Sequence, residues 1–209
     1  MKSYSNYHGT NENQKISHDG LLLLERSLNG FEGYDVLINN LTESKVLVYQ
    51  KYDSESTVKK VIGRIGDIDI GNVMTIDNLN WLIITLPEDN KIYRKAEMQL
   101  CNSTYPIKTN KTRVLKGLND FGEKIYDYVD GTVTELPCIV SSTTTSDSVD
   151  EAINLPEGQI SITLPYVENA EIAEGKEFFM YGSKFKIIGI DYTKSINKVG
   201  ILIIKGKKV

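Results

Sequence analysis

Gly71-Asn72-Val73-Met74-Thr75-Ile76-Asp77-Asn78-Leu79-Asn80-Trp81-Leu82-Ile83-Ile84 reads as two short strands joined at Asp77-Asn78. Branched and aromatic residues suit a pleated sheet, and Asp-Asn suits the bend between strands. A turn at Pro87-Glu88-Asp89-Asn90 and the run Lys91 to Cys101 add a third strand, so the stretch reads as a meander. The same pattern returns at an offset of 104 residues. Gly71 meets Gly175, Met74 meets Phe178, Ile76 meets Met180 and Trp81 meets Phe185. Ile83 and Ile84 meet Ile187 and Ile188, and further on Met98 and Leu100 meet Leu202 and Ile204. Each unit puts an aromatic at the start of its central strand, where it can cover one end of a barrel or sandwich core. The matched positions are mostly apolar, and meanders of similar length resemble one another. Two related β modules, two unrelated ones and one continuous sheet system all fit. Superposing the backbones of 61–101 and 165–205 decides among them.

Composition supports the β reading. The 209 residues hold only four alanines against 24 Ile, 14 Val, 15 Thr and 12 Tyr. Alanine is the best helix former, so an all-helical protein is close to excluded. The expected fold class is mainly β: two small barrel- or sandwich-like modules and one short N-terminal helix. Ser17 or Asp19 is expected to cap that helix, Leu21, Leu24 and Leu28 share a face, and Gly30 stops it. The expected organisation is an arm and helix over 1–30, a first β module over 31–104, a linker over 105–130 and a second module over 131–209. The arm is the polar stretch 1–16, and the Ser/Thr/Asp-rich stretch 141–154 reads as an exposed loop. Phe121 to Val129 and Thr132 to Val140 read as a hairpin around Asp130-Gly131.

The charge is −4 and well mixed. It points to no specific nucleic-acid contact and no membrane surface. The cluster Lys108, Lys111, Arg113 and Lys116 reads as a solvated linker rather than a phosphate site. The first ten residues hold no apolar run, so a soluble protein made in the cytoplasm is expected.

Catalytic equipment is sparse. His8 and His18 are the two histidines, and both fall in or near the polar arm. A ligating histidine needs a rigid shell around it. Cys101 and Cys138 have neither CxxC spacing nor a histidine partner, and read as reduced, buried thiols. Gly63-Arg64-Ile65-Gly66 lacks the Lys-Ser/Thr ending of a phosphate loop. Asp67 and Asp69 alternate along what reads as a strand, and Asp147, Asp150 and Glu151 cluster in the long loop without the spaced oxygens of a Ca²⁺ site. No enzyme, metal or cofactor is expected. Exposed aromatics such as Tyr126, Tyr128, Tyr166 and Tyr181 leave a ligand-binding β module as an alternative.

The residues Ile70 to Ile76, Trp81 to Ile84 and Tyr93-Arg94-Lys95-Ala96-Glu97-Met98-Gln99-Leu100-Cys101-Asn102 resemble virion proteins in the head–tail module of tailed phages infecting Gram-positive bacteria. Leu155 to Thr163 and Gly175 to Ile190 resemble the C-terminal half of those proteins, so the likeness covers most of 17–205. It implies a head-closure or head–tail connector protein, stopper-like, at the head–tail interface of the virion. A homo-oligomeric ring, expected as a hexamer, would sit between a portal or adaptor ring and the tail-terminator or tail proteins. Packaged DNA would pass through without sequence-specific binding. The chain is longer than the smallest stoppers and looks doubled, so a tail or baseplate component is the nearest alternative. Assembly contacts are expected at Tyr4 and Tyr7 in the arm and at Thr143, Thr144, Asp147, Asp150 and Glu151 in the long loop.

Overall fold

The computed structural model describes residues 11–50, 57–108, 112–119, 121–129, 131–145, 152–154 and 158–209. The chain divides into two units, Met1–Cys101 and Asn102–Val209.

The first unit opens with α1 (Glu12–Leu28). Its cap is Asn11, whose Oδ1 accepts a hydrogen bond from the Asn13 N–H at 3.3 Å. The helix therefore starts well before Ser17 and absorbs residues 12–16 of the expected arm. Good helix formers such as Glu12, Gln14 and Lys15 allow this. The strands are β1 (Gly33–Ile38), β2 (Thr42–Gln50), β3 (Val58–Gly63), β4 (Val73–Ile76), β5 (Leu79–Ile83), β6 (Glu88–Asp89) and β7 (Arg94–Leu100). They run β3-β2-β1-β4-β5-β7, and β3 also pairs with β7. That last pairing closes the sheet into a six-stranded barrel, with β6 a short extension beside β7. Closure leaves no edge among the six strands. Val46, Val61, Met74, Ile83 and Met98 fill the interior and are fully buried. Leu24 and Leu28 of α1 pack with Leu47, Ile62, Ile92 and Tyr93. Each such apolar side chain, fully buried, contributes roughly 1.5–3 kcal/mol.

The second unit has β8 (Ser103–Lys108), β9 (Thr112–Leu118), β10 (Lys124–Val129), β11 (Val133–Ser141), β12 (Thr143–Thr145), β13 (Ala152–Asn154), β14 (Gln159–Pro165), β15 (Glu177–Met180), β16 (Ser183–Asp191), β17 (Ser195–Ile196) and β18 (Val199–Lys208). Its main sheet runs β15-β16-β18-β14-β11-β8. This is the strand path of the first unit, element for element: β8, β11, β14, β18, β16 and β15 stand where β1, β2, β3, β7, β5 and β4 stand.

The echo at 104 residues is structural. Met74 pairs with Trp81 across β4–β5, and Phe178 pairs with Phe185 across β15–β16. Gly71 N–H donates to the Ile83 carbonyl at 2.9 Å, and Gly175 N–H donates to that of Ile187 at 2.8 Å. Both glycines have positive φ, 87° and 86°, a conformation other residues adopt only with strain. Buried Ile68 and Ile172 also match at this offset. The third strand departs from it. Ile83 faces Met98, whereas Ile187 faces Gly206, four residues beyond the expected Leu202. The displacement is the same for Phe185, which faces Lys208 where Trp81 faces Leu100, and a register shift between Ile187 and Gly189 follows it.

Side-chain sizes are exchanged at the matched positions. Phe178 stands where Met74 stands, and Gly206 where Met98 stands. A Cβ on Gly206 would lie 2.9 Å from Phe178 Cζ, so a larger residue on one strand is offset by a smaller one on the other. The second barrel also lacks the closing pair. Leu37 pairs with Thr75 and Ile38 with Met74, but the residue matching Leu37 is Pro106, which has no N–H to donate. The Tyr105 ring packs on Phe178 at 5.2 Å between centroids, so β8 and β15 meet through side chains.

Three expectations are corrected. The stretch 105–130 is not a linker: it contains most of β8 and the β9–β10 hairpin. β10 pairs with β9, not with β11, because Asn119 builds the turn between them. Its Oδ1 accepts from the N–H groups of Phe121 at 3.0 Å and Glu123 at 2.7 Å. The stretch 141–154 carries the two-stranded β12–β13 ladder rather than being loop throughout.

Candidate assembly surfaces

The expected contact residues fall into two groups. Tyr4, Tyr7, Asp147, Asp150 and Glu151 lie outside the described residues. Thr143 and Thr144 lie on β12, opposite Asn154 and Ile153.

The acidic residues near β3 are occupied. Asp67 and Asp69 lie in the loop after β3 rather than on a strand. Asp67 accepts a hydrogen bond from Ser44 and sits beside Arg64, while Asp69 binds Arg94. Arg64 also donates through Nε and Nη2 to both oxygens of Glu25, at 2.7 and 2.8 Å, tying α1 to the barrel. That hydrogen-bonded guanidinium holds the Glu25 carboxyl below its ordinary value. Arg94 likewise bridges Asp69 and Asp89.

Cys101 and Cys138 are not joined in a disulfide. Burial pushes the Cys101 thiol up to about 12, so little thiolate forms at neutral pH. Cys138 is buried in the second core, and burial pushes the neighbouring Tyr105 phenol up to about 12. His18 is exposed on α1, and His8 lies outside the described residues. Among the described residues there is no group of three or more His, Cys, Asp or Glu that could hold a metal ion. Among them, too, every buried side-chain N or O atom has a partner.

The aromatics singled out by sequence are dispersed. Tyr126 and Tyr128 share a face of the β9–β10 hairpin, and the Arg113 guanidinium lies 3.5 Å over the Tyr126 ring. Lys116 pairs with Asp127 at 3.3 Å, so two cations of the basic cluster serve the hairpin itself. Tyr166 packs edge-on against Tyr192, and Tyr181 occupies the β15–β16 turn. These positions do not form one groove.

Two surfaces stand out that sequence reading missed. The first is the hairpin. In the first unit β1 and β2 are joined by a short turn at 39–41, but β8 and β11 are separated by residues 109–132, which contain β9 and β10. These strands pair only with each other. Leu115, Leu118, Ile125 and Tyr128 are exposed along it, and Phe121 at its tip is 91% exposed. A lone two-stranded hairpin is marginal in water, and apolar groups on it have no core to join. The second is a groove of about 230 Å³ on the outside of the first barrel, lined by Tyr49, Lys60, Ile62, Thr85, Leu86, Glu88, Lys95, Ala96 and Glu97. It opens where the edge beside β7 breaks between β5 and β6.

Comparison with known proteins gives a full-length match. The sequence model of the YomX N-terminal domain matches residues 5–100, and that of the YomX C-terminal domain matches residues 103–207. The boundary between them falls where the structure divides. The chain is 36% identical to the SPbeta prophage-derived uncharacterized protein YomX of Bacillus subtilis (strain 168), over all of this chain and 97% of that protein. No solved structure matches it.

Proposed function

Because the chain belongs to the YomX family and is phage-derived, we propose that it is a structural virion protein of the phage neck. In this reading it forms a ring between the portal or adaptor and the tail, closes the filled head and docks the tail. One observation carries the proposal: the chain builds two barrels of one topology, and from the second projects a hairpin with exposed apolar side chains. Rigid barrels suit a ring wall, and projecting segments suit contacts across subunit boundaries. The ring would act by assembly, without catalysis. The net charge of −4 suits a wall that lets DNA pass without gripping it, since basic surfaces bind phosphate strongly.

Deleting the gene from the phage tests this. The expected result is heads that lose their DNA and tails left unattached, with labelled protein found at the neck by electron microscopy. Full heads with normal attached tails, or label at the tail tip, would overturn it; the second result would favour a baseplate component.

A further inference from the structure

We propose that the β9–β10 hairpin is an inter-subunit arm whose Phe121 inserts into the outer groove of the first barrel of a neighbouring copy of this chain. The inference deepens the ring reading and rests on it. Phe121 is held outward by a built turn. Asn119 Oδ1 accepts from two backbone N–H groups, and its Nδ2 donates to Glu123 Oε2 at 2.9 Å. The tip is therefore pre-organised, which lowers the ordering cost of binding. An aromatic 91% exposed at such a tip is an anchor without a pocket in its own unit.

The groove supplies a pocket of fitting size and chemistry. Its volume of about 230 Å³ is below the ~300–1,000 Å³ of small-molecule sites and on the scale of one large side chain. Tyr49, Ile62 and Leu86 give it apolar walls. Lys60 and Glu97 stand on its lining, so the tip's Glu123 and Lys124 can each meet an opposite charge. Knob and hole lie on different patches of the chain. Their union is heterologous and joins copies head to tail, which generates a ring where the rotation closes.

The test uses the full-length chain with p-benzoyl-phenylalanine at position 121, mixed with isotope-labelled chain and irradiated. Cross-linked peptides should join position 121 of one isotope to groove residues of the other. In sedimentation, Phe121→Ala and Leu86→Asp should each weaken self-association by roughly tenfold or more, and the double variant should be no weaker than the worse single one. Both sites are exposed, so circular dichroism should show unchanged folding. An oligomer that forms normally and cross-links elsewhere, or only within one chain, overturns the arm and leaves the ring reading standing. A wild-type chain that stays monomeric at all concentrations, with no cross-link between chains, counts against both.

Discussion

Phe178 and Gly206 show how far a core position is set by its neighbour. An added Cβ on Gly206 would stand 2.9 Å from the Phe178 ring, so Gly206→Ala overpacks the second barrel and should cost about 1–3 kcal/mol. In a Phe178→Leu background the ring is gone and the same methyl has room. The double-mutant cycle should then show a favourable coupling of about 0.5–3 kcal/mol, read from urea unfolding followed by circular dichroism. Additive costs would reject the size exchange. Glu25 offers a pH-dependent case. Its carboxyl sits below the ordinary 4.5 because Arg64 hydrogen-bonds the charged form. The unfolded chain therefore binds the proton more readily. The pair's stabilisation is present above pH 4.5 and is lost as pH falls through the lowered folded value. Both side chains are about 40% exposed, so the contribution is within ~1 kcal/mol. Trp81 is the sole tryptophan and is buried in the first barrel, so its fluorescence reads this unit alone. Glu25→Gln should lower the urea midpoint at pH 7, and the gap from the wild type should narrow as pH falls below 4.5; a gap that stays constant down to the acid limit of folding would exclude the charge as its cause.

At the scale of elements, the hairpin and the barrel that bears it should be separable. β9 and β10 pair only with each other, so replacing residues 110–131 by a short turn removes no pairing from the main sheet. The thermal midpoint of the second unit should move by no more than a few degrees, while self-association is lost. A collapse of the fold would instead assign the hairpin a packing role. The same elements show what can be read from sequence. The β4–β5 and β15–β16 hairpins are legible because their signal is local: Asp77-Asn78 and Tyr181-Gly182 take left-handed backbone where the apolar runs break. Asp130-Gly131 offers an equally good local signal and misleads, because Asn119 ties a competing turn with its side chain. β8 is hidden by Pro106, which reads as a break and is tolerated because that edge lacks a ladder partner. The register of the third strand is illegible for a different reason. It depends on how many residues separate the paired positions, 15 from Ile83 to Met98 and 19 from Ile187 to Gly206, and no local signal sets that number. The groove leaves no trace in sequence, since its lining comes from four strands and a loop.

For the whole molecule, two cores in one chain imply two places where stability can be lost. The first core gathers around Met74, Trp81, Ile83 and Met98, and the second around Phe178, Phe185, Ile187 and Leu202. Each unit pairs its strands only with one another, so no sheet is shared. Ile83 and Ile187 hold matching positions, and both are buried to within 1%. Truncating either leaves a cavity and should cost about 2–5 kcal/mol. The consequence differs by probe. Ile83→Ala should lower the denaturant midpoint seen by Trp81 fluorescence, and circular dichroism, which follows both units, should then resolve two steps. Ile187→Ala should leave the Trp81 transition in place and move only the remaining circular dichroism signal. If either variant shifts both signals together, the units unfold as one cooperative body, and the repeat is a property of topology alone. If the signals separate, each barrel is a self-sufficient building block.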